Sequence, residues 1–150
     1  MKAIITLSAF AALFLVSPAQ AERLQVKARK QLCAEVVSNV VKGPLYLSEC
    51  TTESLAQVFL LNRQGEIRHN ADYTGDKSRE LCVDAEFDFG PLILVDCKAK
   101  KSQWGFDKRT GQVKSLSGQC WSVPGSNFLP WMTLRAEPCK SGTNQQFIAD

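Results

Sequence analysis

One pattern occurs three times along the chain: a cysteine, a second cysteine about 15–19 residues later, and an aromatic about 7–9 residues beyond that. The cysteines group as Cys33 with Cys50, Cys82 with Cys97, and Cys120 with Cys139. The segments that follow are Gln57-Val58-Phe59, Ser102-Gln103-Trp104 and Gln145-Gln146-Phe147. A repeat of about 40 residues marks a supersecondary unit that cannot bury its apolar face alone, so the copies must assemble around a shared core. Six cysteines allow fifteen pairings. Equivalent units should bridge equivalently, which favours the three local pairs, each worth about 3 kcal/mol through loop closure.

Disulfides require an oxidising compartment, and the N-terminus reads as an export signal. Lys2 precedes the apolar run Ile4 to Val16, and Ser17-Pro18-Ala19-Gln20-Ala21 ends in a small-x-small cleavage pattern. The run of about 13 residues is shorter than the ~20 needed to span a bilayer, so stable membrane insertion is not expected. Residues 1–21 are therefore read as a signal peptide and 22–150 as one domain, secreted or periplasmic after cleavage near Ala21. Losing Lys2 lowers the formal charge of +3 by one. The basic residues are scattered, which gives no reason to expect nucleic acid. Lys98, Lys100 and Lys101 read as a solvated turn. No cysteines show Cys-x-x-Cys spacing and His69 is the sole histidine, so neither metal nor cofactor is expected.

The local texture is β. Apolar and polar residues alternate in Gly43 to Cys50, Gln57 to Asn62, Pro91 to Cys97, Gln112 to Leu116 and Trp131 to Glu137. Turn signals such as Lys42-Gly43-Pro44, Gly90-Pro91, Thr110-Gly111 and Ser141-Gly142 separate them. Each unit ends on a short strand before the next unit's cysteine: Glu66-Ile67-Arg68 before Cys82, across a loop containing Asn70 to Ser78, and Gln112-Val113-Lys114 before Cys120. Unit three stops at Phe147-Ile148, and Leu24 to Ala28 supplies its missing strand. The chain ends should therefore meet and close an all-β barrel with threefold pseudo-symmetry, leaving no open sheet edge.

Leu81-Cys82-Val83-Asp84, Cys97 and an aromatic seven residues on resemble the ricin B-type lectin repeat, as do Asn144-Gln145-Gln146-Phe147 and Gln57-Val58-Phe59, with Phe in place of that family's Trp. The resemblance covers the whole mature chain as three repeats. It implies a β-trefoil: twelve strands, a six-stranded barrel capped by three hairpins, and shallow glycan pockets, one per repeat. In that family an Asp two after the first cysteine accepts hydrogen bonds from sugar hydroxyls. An aromatic two before the second cysteine stacks on the sugar, and an Asn before the motif Gln completes the contacts. Charge-assisted bonds of about 1.5–3 kcal/mol and a flat ring suit such a ligand.

Carried over one repeat at a time, unit two keeps Asp84 but has Val95 at the ring position and Lys101-Ser102 at the Asn-Gln positions. Unit three keeps Asn144 and Gln145, with Ser122 for Asp and Glu137 for the ring. Unit one has Glu35, Ser48, Ala56 and Gln57, and reads as scaffold. No unit holds the full set. Loop aromatics are the candidates to compensate: Phe87 and Phe89 beside Asp84 and Lys101, and Phe128 and Trp131 beside Asn144 and Gln145. The alternative for Asp84 is a turn carboxylate bracing backbone amides, and for Phe128 and Trp131 it is packing. Phe59, Trp104 and Phe147 are expected to fill the core.

Two functions follow from the resemblance. One is a non-catalytic lectin-like module recognising a glycan or glycoprotein. The other is a protein-interaction or targeting subunit that accompanies a toxin's catalytic subunit, favoured by the apolar Phe128 to Met132 loop. An enzyme is not indicated: there is no histidine near a nucleophile and no phosphate-binding loop.

Overall fold

The computed structural model describes residues 20–61, 65–69 and 80–150. The leader up to residue 19 and the loop at Asn70 to Ser78 lie outside them. Twelve strands form, with only single 3-10 turns between them among the described residues. Unit one comprises β2 (Arg29–Val36), β3 (Leu45–Glu49), β4 (Val58–Leu61) and β5 (Ile67–His69). Unit two comprises β6 (Leu81–Ala85), β7 (Leu92–Asp96), β8 (Trp104–Asp107) and β9 (Gln112–Ser115). Unit three comprises β10 (Gln119–Ser122), β11 (Arg135–Pro138), β12 (Phe147–Ala149) and the N-terminal β1 (Gln20–Val26). The fold is a β-trefoil.

The chain ends meet, and the N-terminal strand supplies the one unit three lacks. β1 pairs with β12 through Leu24↔Ala149 and Val26↔Phe147, and with β4 through Glu22↔Phe59. Two turns close the remaining seams: Trp104 N–H donates to Gly65 O at 2.9 Å, and Phe147 N–H to Gly111 O at 2.7 Å. Both glycines hold positive φ, and a Cβ there would meet Gln103 Cβ or Phe147 O at 2.8 Å. Contact and conformation together exclude a side chain at these two turns. Cys33–Cys50, Cys82–Cys97 and Cys120–Cys139 are bridged, with Cα atoms 4.9–5.0 Å apart.

The hairpins β2–β3, β6–β7 and β10–β11 cap the barrel and are stitched into a ring by backbone bonds. Leu94 N–H reaches Gly43 O, Ala136 N–H reaches Gly90 O and Leu47 N–H reaches Met132 O, each at 2.9 Å. One strand differs from expectation. β11 starts at Arg135 rather than Trp131, because Trp131 has φ of 69° and Leu134 N–H is drawn across to Leu45 O in unit one.

Trp121 organises the core. Its ring lies 6.1, 6.3 and 6.4 Å from those of Phe59, Trp104 and Phe147, all edge-to-face, so one indole touches the motif aromatic of every unit. Its equivalents, the residues after Cys33 and Cys82, are Ala34 and Val83, and all three are fully buried. Only one large side chain fits where the three units converge. The facing strand compensates: Ala34 opposes Leu47 and Val83 opposes Leu94, whereas Trp121 opposes Ala136. Trp121→Ala is expected to cost about 3–5 kcal/mol. Trp121 Nε1 is buried with no partner among the described residues. Trp121→Phe, which removes that donor, should cost less than half as much in urea denaturation.

His69 is 2% exposed, stands edge-on to Phe59 at 6.1 Å and meets Asn39 Oδ1 through Nδ1 at 3.1 Å. Burial lowers its pKa to about 4, below the ordinary 6.5. The unfolded chain therefore takes up the proton first. The stabilisation is complete above about pH 6.5 and is lost as pH falls toward 4. Urea midpoints should drop between pH 7 and about pH 4.5, and His69→Gln should flatten that dependence.

Candidate functional site

Aligning the hairpins on Leu45, Leu92 and Leu134 brings Lys42, Phe89 and Trp131 to one equivalent position. All three hold left-handed backbone, with φ of 67°, 61° and 69°. Such a conformation costs a non-glycine residue of order 1–3 kcal/mol and persists only where its surroundings impose it. Here the next unit imposes it. Lys42 N–H donates to Leu94 O at 2.7 Å, Phe89 N–H to Gln119 Oε1 at 3.3 Å, and Trp131 N–H to Leu47 O at 2.7 Å. Unit one thus reaches over unit two, two over three, and three over one. Each repeat's outward-facing hairpin is walled by the tip of the repeat before it.

This arrangement redistributes the loop aromatics. Trp131 reaches out of its own unit. It stacks on Tyr46 of unit one at 4.8 Å and 17°, and stays 74% exposed. With one face covered and the residue so exposed, its other face is open to solvent. Beneath it, Tyr46 Oη donates to Glu35 Oε1 at 2.9 Å, and Gln57 Nε2 donates to Glu35 Oε2 at 2.6 Å. Unit one, read from sequence as scaffold, therefore carries an aromatic platform beside a carboxylate. Tyr46 was missed because its position carries Ile93 and Arg135 in the other units, so no repeated residue type marked it.

Phe89 likewise serves unit three. Arg135 Nη2 donates to Phe89 O at 3.0 Å. The Phe89 ring lines a shallow concavity of about 660 Å³ with Pro124, Arg135, Glu137, Pro138 and Lys140. Glu137 Oε2 accepts from Ser122 Oγ at 2.6 Å, and Ser122 Oγ accepts from Asn144 Nδ2 at 3.0 Å. The three positions that in the resembling family carry Asp, ring and Asn thus form one hydrogen-bonded chain, with a carboxylate at the rim. Phe87 is 58% exposed on the same tip.

The polar residues singled out from sequence are turned inward. Asp84 is 2% exposed. Its Oδ2 accepts from Lys101 N–H at 2.6 Å and Ser102 N–H at 3.2 Å, and its Oδ1 from Ala85 N–H and Trp104 Nε1. Asp84 braces the segment where unit two lacks the motif glutamine. Gln145 is fully buried, accepting from Lys140 N–H and donating to Pro138 O around Cys139. Gln57 does the same around Cys50, between Thr51 N–H and Glu49 O. Asn144 is 5% exposed and also donates to Val123 O. Lys101 is exposed. Phe128 packs half-buried against the core.

Eighty-five solved chains are similar in fold. An earthworm R-type lectin C-half in complex with GalNAc shares 13% identity at a TM-score of 0.69, covering 87% of this chain and 98% of that one. The designed threefold-symmetric protein ThreeFoil shares 15% at 0.67, covering 86% and 96%. A mosquitocidal holotoxin shares 11% at 0.73, covering 90% of this chain and 17% of that much longer one. No curated protein sequence matches the chain. Residues 21–147 match the family model of the ricin-type beta-trefoil lectin domain, a carbohydrate-binding fold, and no catalytic family is indicated. The chain belongs to the ricin-type beta-trefoil lectin family.

Proposed function

We propose that the chain is a secreted, non-catalytic lectin module whose glycan sites are composite. The principal site is the Trp131–Tyr46 platform with Glu35, and the Phe89–Arg135–Glu137 concavity is the second. The observation that carries this reading is Trp131 itself: a large ring in a strained conformation, stacked on one side and open on the other. An exposed flat ring covers the C–H face of a sugar at little entropic cost, and a nearby carboxylate accepts from its hydroxyls. Single sites of this kind bind weakly, so two sites on one chain favour clustered glycans through avidity. The family assignment and the earthworm lectin's GalNAc complex support the ligand class.

Export fits the three disulfides, which persist in oxidising compartments. Cleavage after Ala21 would remove the pairings Gln20↔Leu61 and Ala21↔Leu60 but leave Glu22↔Phe59 and Arg23↔Val58. Part of the β1–β4 seam would therefore survive processing.

A second reading, a toxin-associated protein-interaction subunit, is favoured by the exposed apolar side chains on the tips. These are Val40, Val41, Phe87, Phe89, Leu129 and Trp131. A pull-down in which a tip variant loses a defined partner, with no glycan bound, would favour it over the lectin reading.

On a glycan array of the mature protein, Trp131→Ala is expected to weaken the strongest hit at least about tenfold, with an unchanged melting temperature. A fully retained signal would sink the platform assignment. Asp84→Ala should behave differently. It should lower stability by about 2–4 kcal/mol, through the unpaired Trp104 indole and backbone amides, and change glycan preference little in the fraction that folds.

A further inference from the structure

The seam where the chain ends meet carries a run of cations. A concavity of about 310 Å³ is lined by Lys27, Lys108, Arg109 and Thr110, together with Glu22. Lys27, Arg109 and Thr110 also line a neighbouring concavity of about 430 Å³, together with Gln112 and Lys140. Lys140 in turn borders the Phe89–Arg135–Glu137 concavity of unit three. The three depressions thus share walls and form one shallow path from unit three's hairpin to the junction of β1 and β12.

The cations of this path are placed by turns that are themselves pinned. Asp107 Oδ1 accepts from Arg109 N–H at 3.0 Å and Thr110 N–H at 3.4 Å, and Gly111 follows with φ of 75°, so the turn presents Lys108 and Arg109 in a fixed order. Lys27 N–H donates to Gln146 O at 2.9 Å. Lys140 is held twice, its N–H on Gln145 Oε1 at 2.9 Å and its carbonyl by Gln112 Nε2 at 3.0 Å. Four acids stand near: Glu22 lines the first concavity, and the other three accept from groups other than these four cations. Asp107 Oδ2 pairs with Lys114 Nζ at 2.8 Å, Asp150 accepts from Gln25, and Glu137 from Ser122. Lys27, Lys108, Arg109 and Lys140 make no ion pair among the described residues. Four cations outside ion pairs, on three pre-ordered segments along an open path, outnumber the lining acids Glu22 and Glu137 and suit an extended polyanion better than a single small anion.

We infer that this seam binds an acidic polysaccharide, bearing sulfate esters or uronate carboxylates, as a site distinct from the aromatic platform. The inference rests on the glycan-binding reading only for the class of polymer. A carbohydrate is favoured over nucleic acid because the path opens into a glycan concavity at Lys140. Its one ring besides Phe89 and Phe147 is the half-buried Phe106, which leaves successive bases no series of rings to stack on. Each cation that neutralises a charged group releases a counterion, so binding should weaken steeply with salt.

The test is titration of the mature protein with a heparin decasaccharide, its desulfated form and an oligogalacturonate, at low and moderate salt. The wild type should bind at least one of them. Lys27→Glu with Arg109→Glu should weaken that binding about tenfold or more and flatten its salt dependence. Trp131→Ala should leave it unchanged. Loss on desulfation assigns the recognition to sulfate, and binding of the oligogalacturonate assigns it to carboxylate. Three results would overturn the inference: no binding of any of the three at low salt, wild-type affinity in the charge-reversed variant, or equal affinity for single-stranded DNA of matched charge. Neutral-glycan binding lost in Trp131→Ala but kept in the charge-reversed variant would uphold the platform separately, so the two readings fail independently.

Discussion

Everything in this molecule is arranged around one indole. Three identical units converging on an axis would bring three identical side chains to one point, and close packing leaves room there for a single large one. The chain breaks its own symmetry at that point by setting Trp121 against Ala34 and Val83, then restores volume on the facing strands with Ala136 against Leu47 and Leu94. Because Trp121 touches Phe59, Trp104 and Phe147 together, it makes the barrel and its cap one cooperative body rather than three stacked hairpins. The disulfides tie each unit internally; this ring ties the units to one another.

The inward demands of the fold explain why the polar candidates are covered. Each unit must hold the segment between its second cysteine and its motif aromatic. Gln57 and Gln145 do this by bridging an amide and a carbonyl on either side of the cysteine. Unit two has Ser102 there instead, and Asp84 takes over part of the task from the opposite strand, capturing the Trp104 indole as well. A carboxylate with four donors already around it offers a ligand little that is new. The side chains these internal demands leave exposed are the rings of Phe87, Phe89 and Trp131 at the hairpin tips.

Much of the architecture was legible in the sequence because it depends on residues that repeat. Cysteine spacing gave the bridges, the three aromatics gave the core, and the short strand before each unit's cysteine gave the meeting of the chain ends. The candidate sites were legible only as parts. Asp84, Asn144, Phe89 and Trp131 were visible one by one, but grouping them by proximity in sequence kept both tip rings within their own units. The cause is geometric: the bonds that seat Phe89 and Trp131 run to Gln119 and Leu47, in neighbouring units, and no spacing within a unit encodes them. The clue on offer was Gly-Pro-Leu, recurring at Gly43 and Gly90. It aligns Lys42 with Phe89 and, through Leu134, with Trp131.

The left-handed tips have a consequence for how such a protein can change over time. The stretch of chain that is copied when a repeat duplicates runs from one cysteine pair to the next. The stretch that would contact a ligand starts at one repeat's tip and ends on the following repeat's strands. The unit of inheritance and the unit that would meet a ligand are therefore out of phase. Exchanging one repeat for another alters two inter-repeat surfaces at once, half of each, whereas a single substitution at position 42, 89 or 131 alters one surface and leaves the repeat that carries it otherwise intact.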